Sequence, residues 1–196
     1  IFISSGGAVY GNATEIPTPE TAPSQPLCPY GLSKYTGERY IQLYSQLYGI
    51  PYTILRYANV YGPRQNLLGE AGVIAIFIDA LLKGKQPTIF GDGEQTRDYI
   101  YVADIVDANI LCLAKGQNQI FNIGTGKQTS VNMLFSLLQT STSFSKKACH
   151  EREIPGEVRY GALAIDHAKQ FLGWEPKVSL EYGLQLTIDY MMETKS

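Results

Sequence analysis

The sequence predicts an α/β fold built around a parallel sheet, and three observations carry that expectation. Short runs of β-formers alternate with longer stretches of helical spacing along the chain. The 196 residues are 44% apolar, enough to bury a substantial core. No internal repeat interrupts the alternation, and no apolar run approaches the ~18 residues of a membrane span.

The elements follow in order. Residues 1–3 read as a buried strand that breaks into the small-residue loop Ser4-Ser5-Gly6-Gly7-Ala8. Residues 12–29 are rich in Pro, Thr and Ser and form a loop, after which 30–48 keep a helical pattern closed by Gly49-Ile50-Pro51. Residues 52–56 are β-formers and predict a strand. Within 71–83, Val73, Ile76, Phe77, Ala80 and Leu81 recur at helical spacing, and Gly84 supplies a stop. A short strand at 88–90 precedes the turn Gly91-Asp92-Gly93. Residues 102–115 predict a helix capped by Gly116, 120–123 a strand and 131–140 a helix. Segments 165–172 and 180–192 finish the chain. Gly124-Thr125-Gly126 lacks a third glycine and reads as a strand-end loop, not a dinucleotide fingerprint.

Composition excludes several classes. A net charge of −2 offers no basic field for nucleic acid or a membrane surface. The three cysteines, Cys28, Cys112 and Cys149, are odd in number and unspaced for metal, which suits reduced thiols, a cytoplasmic location and no metal site. His150 and His167 stand isolated and read as surface residues. The apolar start has no basic flank and carries Gly6-Gly7, so it is not a signal peptide.

The stretch Pro29-Tyr30-Gly31-Leu32-Ser33-Lys34 is the most informative. Helical spacing lays Tyr30 and Lys34 on one face. A phenol titrates near 10 and is a poor base at neutral pH, but an adjacent ammonium favours the phenolate. Taken alone, a Tyr and a Lys four apart are also an ordinary pair on an amphipathic helix. Three further blocks share the chain with that motif: Ile1-Phe2-Ile3-Ser4-Ser5-Gly6-Gly7-Ala8-Val9-Tyr10-Gly11, Arg56-Tyr57-Ala58-Asn59-Val60-Tyr61-Gly62-Pro63-Arg64-Gln65, and Arg97-Asp98-Tyr99-Ile100-Tyr101-Val102-Ala103-Asp104.

In this order the four blocks resemble the extended short-chain dehydrogenase/reductase family and, within it, the NAD-dependent nucleotide-sugar epimerases of the UDP-glucose 4-epimerase type, over residues 1–176. The resemblance implies a Rossmann-type doubly wound sheet from 1–63 and 97–127, interleaved with a smaller nucleotide-sugar domain from 64–96 and 128–196. It implies NAD as cofactor, a UDP-sugar as substrate and a homodimer formed through the 30–48 helix. Tyr30 would be the catalytic base and Lys34 its partner on the nicotinamide ribose, with a cationic nicotinamide further favouring the phenolate. Tyr57 would line the nicotinamide pocket. Asn59 and Arg97 would hold the diphosphate, Val73, Thr88 and Phe90 the uridine, and Glu157 the ribose hydroxyls. For Asn59 a turn former, for Tyr57 a buried strand-end tyrosine and for Arg97 a surface pair with Asp98 are the plain alternatives.

Four departures qualify the resemblance. The family's Ser or Thr hydroxyl falls on Gly6, leaving a water, or else Ser5, to bridge sugar and tyrosine. Gly6, Gly7 and Ala8 also lack the acids that a dehydratase places there. An expected arginine is Ile154, so Arg152 would have to substitute for it. Gly161 stands where a large aromatic would close the sugar pocket, which leaves room for a 2-acetamido group. The glycine-rich pyrophosphate turn is missing, so on the order of a hundred further residues are expected upstream, and these residues alone are expected to be inactive. A reductase of the same fold, or a UDP-sugar-binding relative with impaired chemistry, are the rival readings.

Overall fold

The computed structural model describes residues 1–67, 72–154 and 156–194. In chain order the elements are β1 (Phe2–Ser5), α1 (Gly6–Val9), α2 (Pro29–Tyr48), β2 (Thr53–Tyr57), β3 (Asn59–Tyr61), α3 (Val73–Leu82), β4 (Thr88–Phe90) and β5 (Thr96–Arg97). There follow β6 (Tyr99–Tyr101), α4 (Val102–Cys112), β7 (Gln119–Ile123), β8 (Thr129–Ser130), α5 (Val131–Thr142), β9 (Cys149–Glu151), α6 (Asp166–Leu172) and α7 (Leu180–Glu193).

The fold is α/β. β1, β2 and β7 form a parallel sheet in that order, with Ser5 beside Tyr57 and Tyr57 beside Ile123 at the carboxyl ends. Leu55, Phe121 and Ile123 are buried between α4 and α6, where Trp174 is also buried and donates its indole N–H to the Asp104 carbonyl at 2.9 Å. A second core gathers Ile74, Phe77, Leu134, Leu138, Leu184 and Ile188 of α3, α5 and α7. The parallel pair β3–β6 lies between the cores, giving Ile100 to the first and Tyr61, Tyr99 and Tyr101 to the second. Residues 166–174 pack on the sheet rather than with α7.

α2 starts where local chemistry dictates. The Cys28 sulfur accepts the Gly31 N–H at 3.5 Å, and Pro29 supplies the preset first turn. Only Gly31 and Glu38 of this helix are buried, which leaves Tyr40, Leu43, Tyr44, Leu47 and Tyr48 exposed. Among the described residues no helix is long and apolar enough to cross a membrane.

Several expectations need correction. Ser4 and Ser5 belong to β1 rather than to a loop, because they continue the ladder to Arg56 and Tyr57. Gly6 and Gly7 open the helical turn α1. α4 ends at Cys112, short of the expected 115, and the expected start of α3 at Ala71 lies outside the described residues. His167 is half-buried, its ring 4.9 Å from that of Phe121 and 4.5 Å from that of the exposed Phe171. β3, β5, β6, β8 and β9 span two or three residues each, too few for any periodicity to mark them.

Candidate active site

Tyr30 and Lys34 stand in the first turns of α2, beside the end of β1. The Lys34 Nζ lies 5.8 Å from the Tyr30 ring centroid and donates to the Ile3 carbonyl at 3.2 Å. Tyr30 is 46% exposed, so its ring faces open space. Gly31 permits this placement: a Cβ there would come within 2.5 Å of the Ala8 carbonyl oxygen, so the α2 turn can sit against α1 only without a side chain. Tyr57 ends the neighbouring strand, half-buried, and its hydroxyl accepts an N–H from Asn109 at 2.5 Å. Burial pushes that phenol above its ordinary value.

Beneath this face runs a buried polar chain absent from the motif reading. Ser4 donates to Glu38 at 2.5 Å, and Arg56 donates to both Glu38 oxygens at 2.9 and 2.6 Å. Arg56 also donates to the Tyr10 hydroxyl at 2.9 Å, which donates to Asn122 at 2.8 Å. Burial works against the Arg56 charge, but its bonds to Glu38 and Tyr10 outweigh that and hold the guanidinium above its ordinary value. The Tyr10 phenol is raised by burial.

Six expected ligand contacts, Asn59, Val73, Thr88, Phe90, Arg97 and Glu157, line one cavity of about 360 Å³. Arg97 donates to Glu157 at 2.5 Å and to the Val158 carbonyl at 2.7 Å. Ile154 also lines this cavity, whereas Arg152 is exposed and lines none of the described cavities, so nothing places it at the expected position. A second cavity of about 20 Å³ shares Asn59 and Arg97 and is bordered by Gly6, Gly7, Gly161 and Leu163. Its Gly6–Gly7 border directly follows the end of β1. A Cβ on Gly161 would meet nothing nearer than the Thr96 carbonyl at 3.9 Å. A Cβ on Gly6 would lie 2.5 and 2.8 Å from the two δ-carbons of Leu163, so a side chain there requires the Leu163 side chain to shift.

Asp98 does not pair with Arg97. It is buried and accepts from the Thr125 N–H and hydroxyl at 2.8 and 2.6 Å, the Gly126 N–H at 3.0 Å and the Leu163 N–H at 3.2 Å. The loop Gly124-Thr125-Gly126 is therefore a cradle for this carboxylate. Burial pushes its acidity to a higher pH than usual, against the effect of those donors. Among the described residues no cluster of His, Cys, Asp or Glu is arranged to hold a metal ion.

The Tyr–Lys pair and the adjoining cavity lie at the carboxyl end of a parallel sheet, where α/β folds take their ligands. Residues 1–124 match the model of the NAD dependent epimerase/dehydratase family. A putative UDP-glucose 4-epimerase of Methanocaldococcus jannaschii is 52% identical over 191 residues, covering 97% of this chain and 62% of that protein. The crystal structure of a Thermotoga maritima UDP-glucose 4-epimerase with UDP-glucose superposes with a TM-score of 0.97 at 52% identity, over 100% of this chain and 63% of that one. A Thermus thermophilus UDP-glucose 4-epimerase in complex with NAD gives 0.91 at 36% identity, over 97% and 63%. The chain belongs to the NAD-dependent epimerase/dehydratase family. It spans a little over 60% of the length of these relatives.

Proposed function

We propose that the protein serves NAD-dependent epimerisation at C4 of a UDP-hexose, through a 4-keto sugar, as a cytoplasmic homodimer. The observation that carries this reading is the shared wall of the two cavities: Asn59 and Arg97 border both the nucleotide-sized space and the small space at Gly6–Gly7. A diphosphate held there places a sugar at the end of β1, on the side where α1 packs against Tyr30's helix.

The residues fit the nicotinamide end of the cofactor. Lys34 holds its ammonium near the Tyr30 ring, and Tyr57 and Ser5 adjoin at the carboxyl ends of parallel strands, where such folds take a dinucleotide. NAD, when bound, supplies an acceptor and donor of hydride at the sugar C4. Tyr30 takes the C4 hydroxyl proton and later returns it, with the Lys34 ammonium 5.8 Å from its ring centroid. Arg97 and Asn59 hold the diphosphate while the ring turns over. Gly161 leaves space beside the sugar, which supports UDP-N-acetylhexosamines alongside UDP-hexoses. The exposed Tyr40, Leu43, Tyr44 and Leu47 on α2 support the dimer.

The test is Tyr30→Phe in the NAD-loaded enzyme with UDP-glucose or UDP-N-acetylglucosamine, followed by anomeric proton NMR. Turnover should fall ~10²–10⁴-fold with UDP affinity kept. Equal turnover in the variant would sink the assignment of the base. Leu163 over Gly6 favours one second reading, a UDP-sugar-binding relative with impaired chemistry, which would bind the substrate without converting it.

A further inference from the structure

α2 carries the Tyr30–Lys34 pair, yet of its 20 residues only Gly31 and Glu38 are buried. Its apolar contact is slight: Tyr35, partly buried, packs on the small cluster of Val9, Tyr10 and Leu163. Apolar contact is also non-directional, so it does not by itself fix how far the helix has slid along its neighbours. A carboxylate held on both oxygens by a guanidinium is directional, and that is what α2 buries instead.

Glu38 lies four residues after Lys34 and eight after Tyr30, so the three side chains follow one face of the helix. β1 meets that face residue by residue. The Phe2 ring lies 5.8 Å from the Lys34 Nζ and presses on Gly37, where a Cβ would come within 2.7 Å of its Cζ. The Ile3 carbonyl accepts from Lys34 at 3.2 Å, and the Ser4 hydroxyl donates to Glu38 at 2.5 Å. The group that holds the ammonium and the group that holds the carboxylate therefore sit on adjacent residues of one strand. Ser4, Glu38 and Arg56 are 2%, 1% and 4% exposed, so water does not compete for these bonds. Arg56 continues the chain through Tyr10 to Asn122, whose amide donates to the Thr18 and Ala164 carbonyls at 2.9 and 3.2 Å. The bonds thus run from the helix of Tyr30 to the residue after Leu163, which borders the small cavity.

We propose that Ser4 and Glu38, with Arg56 behind them, are positioning residues for the Tyr30–Lys34 pair: they fix the register of α2 along β1, and so the place of the Tyr30 hydroxyl and the Lys34 ammonium at the sugar. All three act through that pair rather than on the reacting carbon. This rests on the reading of Tyr30 as the base of a UDP-sugar epimerase and extends it one and two turns down the helix. A displacement of about 1 Å can slow a reaction ~10²-fold, so side chains that only set the register still weigh heavily on turnover.

The experiment compares Ser4→Ala and Glu38→Gln with Ile188→Val, a mild change in the remote core of α3, α5 and α7, in the NAD-loaded enzyme with UDP-glucose. Ser4→Ala removes only the bond from β1 and leaves the Glu38–Arg56 pair in place, so it decides the matter even where Glu38→Gln does not fold. kcat should fall ~10-fold in Ser4→Ala and ~10²-fold in Glu38→Gln, with KM kept within ~2-fold, while Ile188→Val keeps both. Hydrogen exchange of the chain without ligand gives a second readout: amides of residues 32–40 should exchange ~10-fold faster in Ser4→Ala, and those of α7 at the wild-type rate. Wild-type kcat in Ser4→Ala overturns the proposal. So does unchanged exchange in α2, or a fall in kcat that Ile188→Val shares, because loss of stability alone then explains it. A wild-type enzyme that holds NAD but leaves UDP-glucose unconverted overturns the epimerase reading instead, and the exchange rates still decide whether Ser4 and Glu38 hold the pair in place.

Discussion

Glu38 and Asp98 are both buried carboxylates, 1% and 2% exposed, and they are satisfied in opposite ways. Glu38, midway along α2, faces a cation: Arg56 grips both its oxygens and Ser4 adds a hydroxyl. Asp98 has no cation among its bonded partners. Thr125, Gly126 and Leu163 supply it with backbone N–H groups and one hydroxyl, while the neighbouring Arg97 turns away to Glu157. The first arrangement locks a helix to two strands through one partner, so its failure is abrupt. The second clasps two loops behind the ligand cavity through several modest bonds, so its failure is graded and depends on pH.

The largest effect should come from breaking the ion pair. Glu38→Ala leaves Arg56 charged, buried and without its anion, a loss of about 3–5 kcal/mol of stability. Urea unfolding measures it directly. The double variant Glu38→Ala with Arg56→Met removes both charges and should recover most of that loss. If the double variant were as unstable as the single, the pair would not be what holds β1 and β2 to α2.

Asp98→Asn sharpens the contrast and should be milder, about 2–3 kcal/mol. An amide keeps one acceptor but turns its NH₂ toward the N–H groups that the carboxylate accepts from. The pH dependence then separates the two acids. A carboxyl whose folded value lies above its unfolded one binds its proton more tightly in the folded state. Its contribution is therefore full below the unfolded value near 4 and declines as pH rises through the folded value. The destabilisation of Asp98→Asn relative to wild type should accordingly be larger at pH 4 than at pH 7. A difference that grew with pH would contradict the burial-driven direction.

This contrast also shows which parts of the molecule were legible in the sequence. The Tyr30–Lys34 pair and the helix that carries it follow from local spacing, whereas the six side chains around one cavity were expected from the family resemblance and not from any periodicity. The Glu38–Arg56 pair joins residues 18 apart on a helix and a strand, and no periodicity announces it. Asp98 was visible beside Arg97, but only the fold shows that its partners come from 27 and 65 residues away. Arg152 lines none of the described cavities although it directly follows β9, a three-residue strand that no periodicity marks.

The smallest effect lies where the two regions meet. Gly6 follows the strand that Ser4 ties to Glu38, and its Cα faces Leu163, whose N–H is held by Asp98. Gly6→Ser, which would restore the hydroxyl expected at this position, forces its Cβ into the buried Leu163 side chain and should cost about 1–2 kcal/mol by overpacking. Leu163→Ala in the same chain opens the space and should relieve that clash, although it adds a cavity of its own. Thermal melts of the single and double variants report the coupling between the sites, and substrate turnover in the double variant reports whether a hydroxyl there helps. If Gly6→Ser alone melted with the wild type, Leu163 would be free to move, and the cradle around Asp98 would not be rigid.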